Sequence, residues 1–141
     1  MTAHPVGVLD TSAVVLLDRL LPADLPDEPV ITAVTLADLS VGALVTDDAA
    51  ERARRQARLQ LTEASFDPLP FDAPAARAFG RVAAALRRAG RQVRPRAFDA
   101  LIAATAIAHD LPVYTCNSSD FVGIEELTVV SVPHPDAPDP T

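Results

Sequence analysis

Apolar positions recur along the chain with two periods, and the alternation between them sets out the elements. Val6-Gly7-Val8-Leu9 is a continuous apolar run of strand length. The polar triplet Asp10-Thr11-Ser12 follows, then apolar Ala13 to Leu17, so the segment reads strand, polar turn, helix, with Asp10 or Thr11 as cap. Leu21 to Pro29 carries three prolines and three acids and reads as a loop. Val30-Ile31 is a brief strand, and Thr32 or Thr35 caps a helix to about Thr46 with Leu36, Leu39 and Ala43 as its apolar stripe. Asp47 to Ala64 is a more polar helix, and Phe66 to Phe71, interrupted by Pro68 and Pro70, is at best an edge strand. In Ala73 to Ala89 the residues Phe79, Val82, Ala83 and Leu86 keep the helical period up to Gly90. Arg91 to Pro95 is a basic connector into an Ala- and Ile-rich helix, Arg96 to Ala106. Leu111 to Thr115 is a short strand, Cys116 to Phe121 a polar turn entering a helical turn, and Leu127 to Val132 a β-branched final strand.

Strands alternating with helices favour a parallel, helix-covered sheet, hence an α/β fold. Residues 1–132 read as a single domain, and the Pro-rich segment 133–141 as a frayed C-terminal tail. The length of 141 residues suffices for a real hydrophobic core. The N-terminus lacks a basic and long apolar leader, and the apolar run near Leu101 to Ala108 is too short to span a bilayer. One cysteine, Cys116, permits no internal disulfide, which fits a cytoplasmic setting.

Charge changes this picture more than composition does. The net charge is −7, which on its own argues against a general nucleic-acid coat. Yet all twelve basic residues are arginine, and eleven lie between Arg52 and Arg96, opposed there only by Glu63, Asp67 and Asp72. A local basic face can coexist with an acidic whole. Arg52, Arg54, Arg55 and Arg58 read as a solvated helix face; Arg91, Arg94 and Arg96, next to Asp99 in sequence, are the best candidates for substrate contact.

The candidate chemistry lies in four acids at element ends or on helices beside the sheet: Asp10, Asp38, Asp99 and Asp120. Asp99 shares a helix face with Ile102, Ala103 and Ala106, and a charge on an apolar face is costly unless a cation answers it. Asp10 is either an N-cap or a carboxylate at the C-terminal edge of a parallel strand, where open α/β sheets place ligands. Asp120 repeats that arrangement, and Asp38, with Gly42 one turn on, is either a solvated helix acid or part of the same group. Clustered carboxylates become stable together mainly when a divalent cation neutralises them, and hard oxygen donors suit Mg²⁺ or Mn²⁺. A Gly-rich phosphate loop is absent, and His4, His109 and His134 are read as non-ligands, so neither a P-loop enzyme nor a Cys/His metal cage fits. With no lysine anywhere, a phospho-accepting receiver-like domain is disfavoured.

The segments Val8 to Ser12, Thr35 to Gly42, Phe98 to Ala106 and Tyr114 to Phe121 resemble, in order and spacing, the signature blocks of PIN-domain proteins, most closely the toxin ribonucleases of VapBC-type toxin–antitoxin pairs. The resemblance covers Val6 to Val132. It implies a three-layer α/β/α sandwich with a mainly parallel sheet and Mg²⁺- or Mn²⁺-dependent endoribonuclease activity. Asp10, Asp38, Asp99 and Asp120 would be catalytic; Asp10, Asp99 and Asp120 would hold metal; Thr11, Thr115 and Asn117 would support them. It further implies products with 5′-phosphate and 3′-hydroxyl ends, a homodimer, and a cognate antitoxin protein that blocks the site. The family usually carries glutamate where this chain has Asp38, one methylene shorter. The alternatives are a solitary PIN ribonuclease in RNA processing and a catalytically inert PIN interaction module.

Overall fold

The computed structural model describes residues 4–137. Strand β1 (Val6–Leu9) lies inside a four-stranded sheet with β2 (Glu28–Val30) on one side and β3 (Val113–Thr115) on the other. Strand β4 (Val129–Ser131) completes the order β2-β1-β3-β4, and every pairing is parallel. Five helices carry the connections: α1 (Thr11–Val15), α2 (Ala33–Val45), α3 (Ala49–Ser65), α4 (Ala73–Arg88) and α5 (Ala97–Ala108).

Because successive strand residues point to opposite faces, the sheet separates two cores. Val8 and Val113 meet the first, with Ala78, Val82 and Leu86 of α4 and Ala100 to Ala106 of α5. Leu9 and Tyr114 meet the second, with Ala13 and Val14 of α1, Leu39 of α2, and Leu59 and Phe66. The result is a three-layer α/β/α sandwich. Helix α5 is apolar apart from Asp99 and Thr105, its middle from Ile102 to Ala106 is buried, and its alanines let it lie close against α4.

Two differences from the expected elements have simple causes. Strand β2 starts at Glu28 and takes in Pro29, because β2 is the sheet edge and Pro29 need not donate outward. Phe66 to Phe71 forms no strand but a single parallel bridge: Leu69 N donates to Ile31 O at 2.9 Å, and Leu69 O accepts from Ala33 N at 2.8 Å. Pro68 and Pro70 remove the donors that would extend it. Of the expected C-terminal tail, Pro133 to Ala137 turns back so that Asp136 pairs with Arg19, and residues 138–141 lie outside the described residues.

Strand β1 is joined to β2 on one side and pairs with β3 on the other, so the connections leave β1 in opposite directions. Such a reversal opens a crevice at the carboxyl ends of the two strands. At those ends stand Asp10 and Thr115.

Candidate active site

Asp10 is both things its sequence position allowed. It caps α1, with Oδ1 accepting from Ala13 N at 3.0 Å. It is also 1% exposed at the crevice. Oδ1 accepts a second bond from Ser12 Oγ at 2.7 Å, and Oδ2 accepts from Thr115 Oγ1 at 2.6 Å. Burial pushes its pKa up; the bonds from Thr115, Ala13 and Ser12 pull it down, and Asp120 pushes it up again. Ser12 was not picked out by its sequence position. Its hydroxyl also accepts from Cys116 N at 3.1 Å, tying the exit of β1 to the exit of β3. The only hint was its place two residues after an acid in a polar turn.

Beyond β3 a chain of polar contacts leads to Asp120. Thr115 Oγ1 accepts from Asn117 N at 2.9 Å, Asn117 Nδ2 donates to Asp120 Oδ2 at 3.0 Å, and Ser119 Oγ donates to Asn117 Oδ1 at 2.8 Å. These bonds shape the 3₁₀ turn Ser118–Phe121. Burial, then Asp10, raises the pKa of the neighbouring Cys116 thiol, which is the wrong direction for a nucleophile.

Asp99 sits in the first turn of α5, half-buried. Its pKa is pushed up to about 7, first by burial and then by the charges of Asp120, Asp10 and Asp38, with Arg96 opposing them. The four acids picked out from sequence therefore occupy one electrostatic neighbourhood. Among the described residues, however, no three Asp, Glu, His or Cys side chains converge closely enough to form a ready cage for one ion. The donor set still suits a hydrated Mg²⁺ or Mn²⁺, which binds through one or two carboxylates and keeps several waters. A carboxyl pushed up to about 7 by burial and then by neighbouring carboxylates is what such a cation would relieve.

The basic candidates part company. Arg91 Nη1 donates to Ser119 O at 3.1 Å and Val122 O at 2.7 Å, so its guanidinium is already engaged in fastening the Asp120 turn to the end of α4. Gly123, with φ of +97°, lets that turn pass close to Ala89. Arg94 is exposed. Arg96 is half-buried, and its Nε has no hydrogen-bond partner among the described residues. Asp38 lies half-buried midway along α2 and lines a cleft with Thr11, Gly42, Arg55 and Arg58. Gly42 is not required there for space: a Cβ would lie 4.0 Å from Arg55 Nη1.

A family model described as PIN domain matches residues 8–126. A protein of Mycobacterium tuberculosis named Ribonuclease VapC5 is 37% identical over 134 residues, covering 93% of this chain and 96% of that protein. Ribonuclease VapC8 of the same species is 35% identical over 102 residues, 72% of this chain and 90% of that one. Among solved structures, a member of the VapBC family of toxin–antitoxin systems, VapBC-5 from Mycobacterium tuberculosis, superposes with a TM-score of 0.77 at 37% identity, covering 91% of this chain and 99% of that chain.

Proposed function

The chain belongs to the PIN domain family, and on that premise we propose that it is a divalent-metal-dependent endoribonuclease, the toxin of a toxin–antitoxin pair. The observation that carries this reading is the grouping of the four acids: Asp10 at the exit of β1, and Asp99, half-buried at the start of α5 and pushed up to about 7 first by burial and then by the charges of Asp120, Asp10 and Asp38. The names of its relatives support the substrate and the partner.

In this reading Asp10 and Asp99 hold Mg²⁺ or Mn²⁺, with Asp120 and Asp38 acting directly or through water. When bound, the ion supplies an acidified water and neutralises charge developing on the phosphoryl group. The chain supplies the positioning. Thr115 and Ser12 fix both oxygens of Asp10, so that carboxylate cannot rotate. Asn117 holds Asp120, and Arg91 holds the turn that carries it. Arg94 and Arg96 supply positive charge beside Asp99 for the RNA backbone.

A groove of about 560 Å³ between α1 and α3, lined by apolar Val14, Leu61 and Phe66 and by charged Asp18, Arg54 and Arg58, offers an antitoxin a seat that shares Arg58 with the Asp38 cleft. Leu61 there is 63% exposed, a large apolar side chain that a partner would cover.

The test is cleavage of total cellular RNA by antitoxin-free protein, with Asp99→Asn alongside. Discrete cuts that need Mg²⁺ or Mn²⁺, carry 5′-phosphates and vanish in the variant are expected. Asp38→Glu restores the family's usual acid and is expected to keep or raise activity. Absence of cleavage under either metal by correctly folded protein would refute the reading.

A further inference from the structure

We propose that Arg55 and Arg58 of α3 form a phosphate-binding subsite on the Asp38 side of the acids, holding the RNA backbone away from the bond that is cut. The inference rests on the ribonuclease reading above and adds to it a place on the enzyme and a pair of residues.

The cleft has a volume of about 340 Å³, and Thr11, Asp38, Gly42, Glu51, Arg55 and Arg58 line it. Its two acids and two arginines balance in number, but they are not all paired with one another. Glu51 is engaged by Arg54 at 3.0 Å and by Arg55 Nε at 3.6 Å. Arg55 Nη1 also donates to Gly42 O at 2.7 Å, which ties α3 to α2 and fixes that guanidinium at the cleft wall. Arg58, three residues further along the helix, forms no ion pair among the described residues. One anchored guanidinium and one guanidinium outside any ion pair form a donor set for an anion with several acceptor oxygens. Guanidinium groups match phosphate in both geometry and charge.

Electrostatics favours something of this kind. A polyanion brought up to four carboxylates is repelled until a divalent cation neutralises them, and arginines beside the acids lower that barrier further. Arg94 and Arg96 lie in the turn that leads into α5 and Asp99; Arg55 and Arg58 line the cleft that holds Asp38. A strand crossing the acids then meets arginine before and after the reactive phosphate.

The test uses the full chain in an Asp99→Asn background, a labelled single-stranded RNA of mixed sequence and no divalent metal, so that binding is read without cleavage. On a single strand, removing one cation that neutralises a phosphate flattens the slope of log K against log salt by about 0.7. Arg58→Gln is expected to weaken binding and flatten that slope by about this amount, with Arg58→Lys recovering part of the affinity. Arg52→Gln removes the same charge from the same helix outside the cleft and is expected to leave the slope unchanged. With Asp99 restored, Arg58→Gln is expected to raise KM more than it lowers kcat, with an unaltered melting temperature. Equal effects of Arg58→Gln and Arg52→Gln would overturn the subsite and reduce it to long-range charge. So would wild-type binding by Arg58→Gln, with the ribonuclease reading intact. An unsubstituted chain that neither binds nor cuts RNA would sink both.

Discussion

Replacing Asp99 with asparagine removes one charge from the acidic group while keeping the shape of the side chain, and its effect on stability has a calculable sign. In the folded metal-free protein the carboxyl is raised from 3.8 to about 7. The folded state therefore binds a proton more tightly than the unfolded chain. Stability from this group is full below about pH 4 and lost as pH rises through 7. A fully shielded group shifted so far would cost about 4 kcal/mol at pH 8. Asp99 is only half-buried and solvent screens it, so the cost is on the order of 2 kcal/mol. Asp99→Asn in EDTA is thus expected to match the wild type near pH 4. By pH 8 it should melt on the order of 6 °C higher. Differencing the two proteins cancels the opposite pH trend of Glu126 and Asp136, whose pKa values are lowered by their arginine partners. Thermal melts at half-unit steps from pH 4 to 8 make the measurement. Adding Mg²⁺ or Mn²⁺ at pH 8 should raise the wild-type melting temperature and leave the variant nearly unmoved, because a ligand stabilises only the state that binds it. A melting difference that stays flat or shrinks with pH would refute the claim that the acids crowd Asp99.

Three further substitutions probe the frame of the site. Thr115→Val deletes a buried donor to Asp10 and the acceptor for Asn117 N; it should cost about 1–3 kcal/mol in chemical denaturation and push Asp10 further up. An unchanged denaturation midpoint would show that the hydroxyl is idle. Gly7→Ala would place a methyl 2.6 Å from the Tyr114 ring, and overpacking at a sheet core is expected to cost about 1–3 kcal/mol, read as a lower melting temperature. Gly42→Ala meets only ordinary contact in mid-helix, so it should stabilise by about 0.5–1 kcal/mol in the same assay; destabilisation would mean that α2 and α3 are closer than the structure shows.

What was legible in the sequence was whatever depends on neighbours in the chain. The apolar run before Asp10, the Thr32 cap of α2 and the Ala- and Ile-rich α5 each need only a few consecutive residues, and each appears in the structure. The four acids stood out because three sit at element ends or in a first turn and Asp38 lies one turn from Gly42, and the structure puts all four in one electrostatic neighbourhood. Contacts between distant segments were not legible. Arg91 looked like an RNA contact from its closeness to Asp99, but its guanidinium is committed to carbonyls 28 and 31 residues away. Arg55 and Arg58 looked like part of a solvated face, because nothing local reveals that α3 packs across α2 beside Asp38. Ser12 gave no signal, since its partners Thr115 and Cys116 lie 103 and 104 residues further along the chain. Strand β2 was displaced by two residues because Pro29 argues against a strand until one knows it lies at the edge.

The bond between Thr115 and Asp10 spans 105 residues. Strand β1 precedes its inner neighbour β3 by most of that stretch and is made well before it. Closing so long a loop is entropically slow, and the cost is offset only once β3 pairs. A chain still emerging from the ribosome therefore carries Asp10 without the hydroxyl that fixes it and without Asp120. In the ribonuclease reading the acid group is thus assembled only after β3 and the turn that carries Asp120 have been made and paired.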